Sequence, residues 1–175
     1  MSIKSKIRTI ENYPIKGVMF RDVTTLLNDP DGFRDTINQL VDRYKDLKID
    51  KIIAIEARGF VIGAPLAYLL NAGLVLIRKP GKLPFDTIKQ EYELEYGTDC
   101  IEVHLDAIER GEKVLIVDDL IATGGTAEAA VKLTQKMQAK IEECCFIVDL
   151  PDLGGRARLE DIGQKVFTLC EFEGE

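Results

Sequence analysis

Runs of apolar residues alternate along the chain with stretches in which apolar positions recur every third or fourth residue. The runs fall in Lys51–Ala57, Leu74–Ile77, Val114–Val117 and Ile141–Leu150. Short runs of this kind, rich in β-branched residues and bounded by polar ones, predict strands buried on both faces, as in a parallel sheet. Lys165–Phe172 predicts a last strand. Phe33, Ile37, Leu40, Val41 and Tyr44 share one helical face, so a helix is expected from Pro30 to about residue 46, with Asp29 as its N-cap. Further helices are expected from about Phe60 to Asn71, and from about Thr126 to near Ala139 on Ala127, Ala129, Ala130, Val131 and Leu133. Ile3, Ile7 and Ile10 predict a short amphipathic helix over residues 2–11, and Tyr13–Asp22 reads as irregular. Ile101–Asp106 alternates as a half-exposed strand that carries His104 on its polar face; no second ligand stands at a suitable spacing, so His104 is given a structural role. Strands alternating with helices predict the α/β class, with an open, mostly parallel sheet flanked by helices.

One stretch carries chemistry. Val114–Val117 is followed by Asp118 and Asp119, then by Ala122, Thr123, Gly124, Gly125 and Thr126 at the start of a helix. Ligands of open α/β sheets bind beyond the carboxyl ends of the strands. A glycine turn entering a helix offers backbone N–H groups and the positive end of the helix dipole to an anion. The acids precede the glycines, which is not the order of a dinucleotide fingerprint, and no lysine follows Gly125, as a Walker A loop requires. What remains is a cradle for one phosphate beside two carboxylates able to accept from a vicinal diol. It suits a ribose 5-phosphate, with hydroxyls on Asp118 and Asp119 and phosphate on Ala122 to Thr126. An ordinary βα junction with an acidic strand end is the alternative.

Charge sharpens this picture. The net charge of −7 argues against a broad nucleic-acid footprint. Yet Ala57–Phe85 contains no Asp or Glu while holding Arg58, Arg78, Lys79 and Lys82, as a small polyanion would favour. No apolar run approaches the ~18 residues of a membrane span, and the N-terminus lacks a signal-peptide core, so a cytoplasmic location is expected. The four cysteines, Cys100, Cys144, Cys145 and Cys170, have neither zinc-ligand nor redox spacing and are expected to be reduced thiols. The length suits a single domain over residues 1–175.

The Asp118–Thr126 segment resembles the phosphoribosyl diphosphate (PRPP) signature of the type I phosphoribosyltransferases. Other stretches resemble that family's adenine-using members: Gly17-Val-Met19-Phe20-Arg21-Asp22, Glu56-Ala57-Arg58-Gly59-Phe60, Arg78-Lys79-Pro80-Gly81-Lys82-Leu83-Pro84, Tyr92-Glu-Leu-Glu95-Tyr96-Gly97 and Leu153-Gly154-Gly155-Arg156. Ala57 and Met19 are mild departures from the pattern. The resemblance implies a type I phosphoribosyltransferase-like fold, with a small hood from about residues 1–30 and the C-terminal residues, and a flexible lid over about 80–97. It implies a purine-salvage enzyme that makes AMP and pyrophosphate from adenine and PRPP with Mg²⁺ held through the substrate, in a homodimer, with neither nucleic acid nor membrane as partner. By the same resemblance adenine meets Met19, Phe20, Arg21 and Leu120, and pyrophosphate meets Arg58, Arg78, Lys79 and Lys82, with unusual backbone geometry at the Arg58 turn. Arg58 is then catalytic, Arg78 is placed to reach a partner's site, and Glu95 and Tyr96 close with the lid, Glu95 as a proton-transfer group. A transferase for another base and a PRPP-sensing regulator that binds nucleic acid stay open.

Overall fold

A computed structural model describes residues 2–94 and 96–174. Its centre is a five-stranded parallel sheet in the order β4-β3-β7-β8-β9, formed by β3 (Lys51–Ile55), β4 (Gly73–Ile77), β7 (Lys113–Ile121), β8 (Lys140–Asp149) and β9 (Val166–Glu171). The predicted apolar runs supply these strands. Ile52, Ile53, Leu115, Ile116, Cys144 and Cys145 are fully buried, and Cys144 and Cys145 face opposite cores, as alternation along a strand requires. One core lies against α4 (Gly125–Lys136) and the other against α2 (Pro30–Tyr44) and α3 (Arg58–Leu70). From β3 the chain steps outward to β4; from β7 it steps the opposite way, to β8 and then β9. The order therefore reverses between β3 and β7, which opens a crevice at their carboxyl ends.

Asp29 caps α2 by accepting from the Gly32 N–H at 2.6 Å, with Pro30 at the first position, as the sequence predicts. α3 ends on Asn71 in the left-handed conformation. The edge strand β4 departs from two-sided burial: Val75 and Ile77 are buried, while Leu74 and Leu76 stay exposed beside Val61, Tyr68 and Leu69 of α3.

The N-terminal segment departs further. Ile3 and Ile7 are buried, as their spacing implied, but the chain makes only a 3-10 turn at Lys4–Lys6. It then extends as β1 (Arg8–Glu11), antiparallel to β2 (Met19–Asp22), which occupies part of the stretch read as irregular. Cross-strand pairing overrides the helical spacing: Arg8 binds the Asp22 carboxylate across the hairpin. Asp22 also accepts from the Thr24 N–H (3.0 Å) and hydroxyl (2.6 Å), opening the short helix α1 (Thr24–Asn28).

These bonds, Thr24 first and then Arg8, lower the Asp22 carboxyl from 3.8 to about 2. A depressed carboxyl stabilises the fold above its ordinary value, and the contribution is lost as pH falls from about 4 to about 2. In urea unfolding the chain should exceed its Asp22→Asn variant in stability at pH 6. The difference should shrink steadily below pH 4 and be mostly gone by pH 2; one undiminished there would contradict the assignment.

The stretch of residues 80–97 is partly regular. Thr87–Glu93 forms β5, antiparallel to β6 (Thr98–His104), and among the described residues 79–86 lie outside helices and strands. In β5 only Tyr92 is buried, so the apolar alternation that would mark a strand is faint. His104 accepts weakly from the Phe85 N–H at 3.3 Å and stands edge-on to that ring, which suits a structural role.

Candidate active site

The crevice between β3 and β7 gathers most of the residues singled out in the sequence. β7 runs beyond the apolar core to Ile121, so Asp118 and Asp119 sit on the strand rather than past its end. Alternation sends them to opposite faces. Asp118 lines a cavity of about 140 Å³ together with Leu120, the Ala122–Ala127 turn and Phe146. Asp119, 5% exposed, turns toward α3 and accepts from Arg58 Nε at 2.5 Å. Burial and the neighbouring Asp119 charge push the Asp118 carboxyl well above its ordinary value. Burial works against the Arg58 charge, and Asp119, Asp118 and Asp22 more than reverse it.

The turn after β7 has the form an anion requires. Gly124 takes φ +80° as the residue preceding α4. The first intrahelical bond runs from the Glu128 N–H to the Gly124 carbonyl at 2.8 Å. The N–H groups of Gly125, Thr126 and Ala127 therefore have no partner inside the helix. Gly59, at the start of α3, lies so close to β7 that a Cβ there would stand 2.9 Å from the Val117 carbonyl.

The cations on the neighbouring strand ends are sorted by carboxylates. Glu56 follows β3, and the Glu56–Ala57 peptide is cis. Its carboxylate accepts from the Lys79 N–H (2.6 Å), Arg78 Nε (3.3 Å) and Lys82 Nζ (3.2 Å). Arg78 and Lys82 are thus brought together. The Lys79 ammonium is not: it turns to Asp99 and to the Tyr92 hydroxyl (2.7 Å) on the β5–β6 hairpin.

Met19, Phe20 and Arg21 lie half-buried on β2, outside the lining of the Asp118 cavity. Phe20 stands edge-on to Tyr13, with centroids 5.2 Å apart. Arg21 donates to Thr9 Oγ1 (2.7 Å) and to the Gly174 carbonyl (3.1 Å) and lies over the Phe172 ring, so the N-terminal hairpin touches the C-terminal residues. Tyr96 is 88% exposed, and Glu95 lies outside the described residues.

Sequence reasoning missed the support beneath the Ala122–Thr126 turn. Gly155 opens α5 (Gly155–Asp161) and donates its N–H to the Ala122 carbonyl at 2.9 Å. Arg156 fixes that helix by donating to Asp149 (2.7 Å), the Val166 carbonyl (3.0 Å) and Thr168 (2.7 Å). Gly154-Gly155-Arg156 was legible as a motif, but nothing local tells which loop it braces.

A parallel sheet with an acid pair, a glycine turn entering a helix and a basic turn at its switch point has the chemistry to receive an anionic, hydroxyl-bearing ligand. Residues 22–171 match the phosphoribosyl transferase domain family, and the chain belongs to it. It is 63% identical over 174 residues to the adenine phosphoribosyltransferase of Nitrosospira multiformis, with 99% of each chain covered. Among solved structures it resembles the adenine phosphoribosyltransferase of Thermoanaerobacter pseudethanolicus (TM-score 0.92, 46% identity, 97% of this chain and 98% of that one). It also resembles the Trypanosoma brucei enzyme in complex with AMP, pyrophosphate and ribose-5-phosphate (TM-score 0.89, 30% identity, 97% and 78% covered). Within the family, its place is among the adenine phosphoribosyltransferases.

Proposed function

We propose that the chain transfers the 5-phosphoribosyl group of PRPP to adenine, releasing AMP and pyrophosphate in purine salvage. The observation that carries this reading is the cavity shared by Asp118 and the Ala122–Thr126 turn, next to the Arg58–Asp119 pair. The turn would hold the 5-phosphate, and Asp118 with Asp119 would accept from the ribose hydroxyls. Arg58, Arg78 and Lys82 would face the diphosphate and offset the charge that grows on it as its bond to C1 breaks. Lys79 would join them by leaving Asp99.

Adenine would enter beside Leu120, under a hood formed by Met19, Phe20 and Arg21 with the C-terminal residues, its ring nitrogen aimed at C1. The segment of residues 80–97, with Tyr96 and Glu95, would cover both substrates and keep water from C1, and Glu95 would take the proton from the base. The carboxylates at the strand ends, Glu56 and Asp119, already carry cations. Among the described residues no cluster of three or more His, Cys, Asp or Glu is arranged for a metal. Mg²⁺ would come with the diphosphate oxygens and water, where it neutralises part of their charge. The exposed apolar side chains of α3 and the edge strand β4, Val61, Tyr68, Leu69, Leu74 and Leu76, suit a second copy, which supports a homodimer. No helix of the described residues is long and apolar enough to cross a membrane.

With adenine, PRPP and Mg²⁺ the chain should form AMP and pyrophosphate. Hypoxanthine in place of adenine should give little product, and chelation of Mg²⁺ should suppress the reaction. Equal turnover of hypoxanthine would overturn the choice of base.

A further inference from the structure

The basic turn over residues 78–82 carries like charges that repel one another, so something must hold it against the sheet. Two carboxylates from different strands meet it, Glu56 at the end of β3 and Glu102 on β6. Glu56, with a side chain 9% exposed, accepts from the Lys79 N–H at 2.6 Å and from Arg78 Nε and Lys82 Nζ at 3.3 and 3.2 Å. Glu102, 6% exposed and on β6, accepts from the Gly81 N–H at 3.3 Å. Its backbone also pairs with Arg78 in both directions, at 3.0 and 2.7 Å. From the sequence, Glu56 stands in the stretch whose resemblance puts Arg58 on pyrophosphate, with no part of its own, and Glu102 has no role.

Resting on the reaction proposed above, we propose that Glu56 is a positioning residue for the diphosphate half of PRPP: its carboxylate folds the basic turn onto the end of β3, so that Arg78 and Lys82 face the crevice before substrate arrives. Donor arithmetic supports this role. A guanidinium has five N–H donors, and among the described residues Arg78 gives Glu56 only its Nε, which leaves the two η nitrogens for another anion. Lys82 shares one ammonium between both Glu56 oxygens and keeps further donors. The Lys79 N–H bond fixes the backbone between them. Burial alone would push the Glu56 carboxyl up; the Lys79 N–H, Lys82 and Arg78 more than reverse this, so its charge is retained.

The position of the charge predicts a selective defect. Pyrophosphate and PRPP use the basic turn, whereas AMP has no diphosphate and depends on the β7 cavity. Losing a charge-assisted hydrogen bond to a buried group is worth ~10- to 100-fold in affinity.

The test is calorimetric titration of wild type, Glu56→Gln, Glu56→Asp and Glu56→Ala with pyrophosphate plus Mg²⁺ and, separately, with AMP. Steady-state KM values for PRPP and adenine accompany the titrations. Wild type should bind both ligands. Glu56→Ala should weaken pyrophosphate and raise the PRPP KM by ~10- to 100-fold, with AMP affinity and adenine KM within ~2-fold. Glu56→Gln keeps an acceptor for the Lys79 N–H but not the charge and should lie between. Glu56→Asp should recover part of the loss.

Unchanged or tighter pyrophosphate binding in Glu56→Ala, or equal loss of AMP and pyrophosphate, would overturn the positioning role. If Glu56→Ala does not fold, the same comparison stands on Glu56→Gln and Glu56→Asp. Wild type that binds neither ligand would instead overturn the underlying reaction.

Discussion

Replacing Asp118 and Asp119 together by asparagine should reduce the affinity for PRPP by ~10²- to 10⁴-fold, the range for losing two charge-assisted hydrogen bonds at ~1.5–3 kcal/mol each. AMP should weaken alongside PRPP because it carries the same ribose. Pyrophosphate should weaken far less, since it never reaches the diol and feels the change only through Arg58, which loses its Asp119 partner. The fold should survive. Burial and the Asp119 charge already oppose ionisation of Asp118, so a neutral amide there relieves a cost instead of adding one. Asp119→Asn frees Arg58, whose side chain is 51% exposed and able to find water. Titration of the double variant with PRPP, AMP and pyrophosphate measures all of this. PRPP affinity equal to wild type would end the assignment of the acids to the ribose.

Gly155→Ala should cost about as much in phosphate binding through a residue that touches no ligand in this account. A Cβ at Gly155 would stand 2.4 Å from the Ala122 carbonyl, 2.7 Å from Ile121 Cγ1 and 2.9 Å from the Gly124 nitrogen. Two of these atoms are backbone of the phosphate turn, and α5 cannot retreat because Arg156 ties it to β8 and β9. The turn must therefore move, and a misplacement near 1 Å costs ~10²-fold in a site that works by position. AMP and PRPP affinities should both fall by that order, and thermal stability should drop as well. Gly154→Asn is the matched control: Gly154 has φ +76° with nothing within 4 Å of a Cβ, and asparagine tolerates that conformation. It should bind AMP like wild type. Normal AMP binding by Gly155→Ala would show that the turn has room the packing denies.

The two variants differ in how visible their targets were. Asp118 and Asp119 could be picked out because a buried apolar run, two acids and a glycine turn are consecutive in the chain, and their spacing states what they can hold. Gly155 could not, because its significance lies in Ala122, 33 positions away along the sequence and 2.9 Å away in space. Lys79 shows the same gap. Its backbone serves Glu56, as a basic turn at the strand end would suggest, yet its ammonium answers to Asp99 on the β5–β6 hairpin. Arg58, by contrast, was legible from the Arg-Gly-Phe turn, though not its pairing with Asp119.

By itself the sequence determined the parallel strands, the α2 and α4 helices and the glycine turn that enters α4, since apolar period, N-capping and glycine conformation are properties of neighbouring residues. Only the tertiary structure decided that residues 8–11 pair as a strand, that residues 87–93 do likewise, and that the sheet order reverses between β3 and β7. A strand's hydrogen bonds belong to its partner, and a weakly apolar segment takes whatever shape that partner's free backbone groups accept.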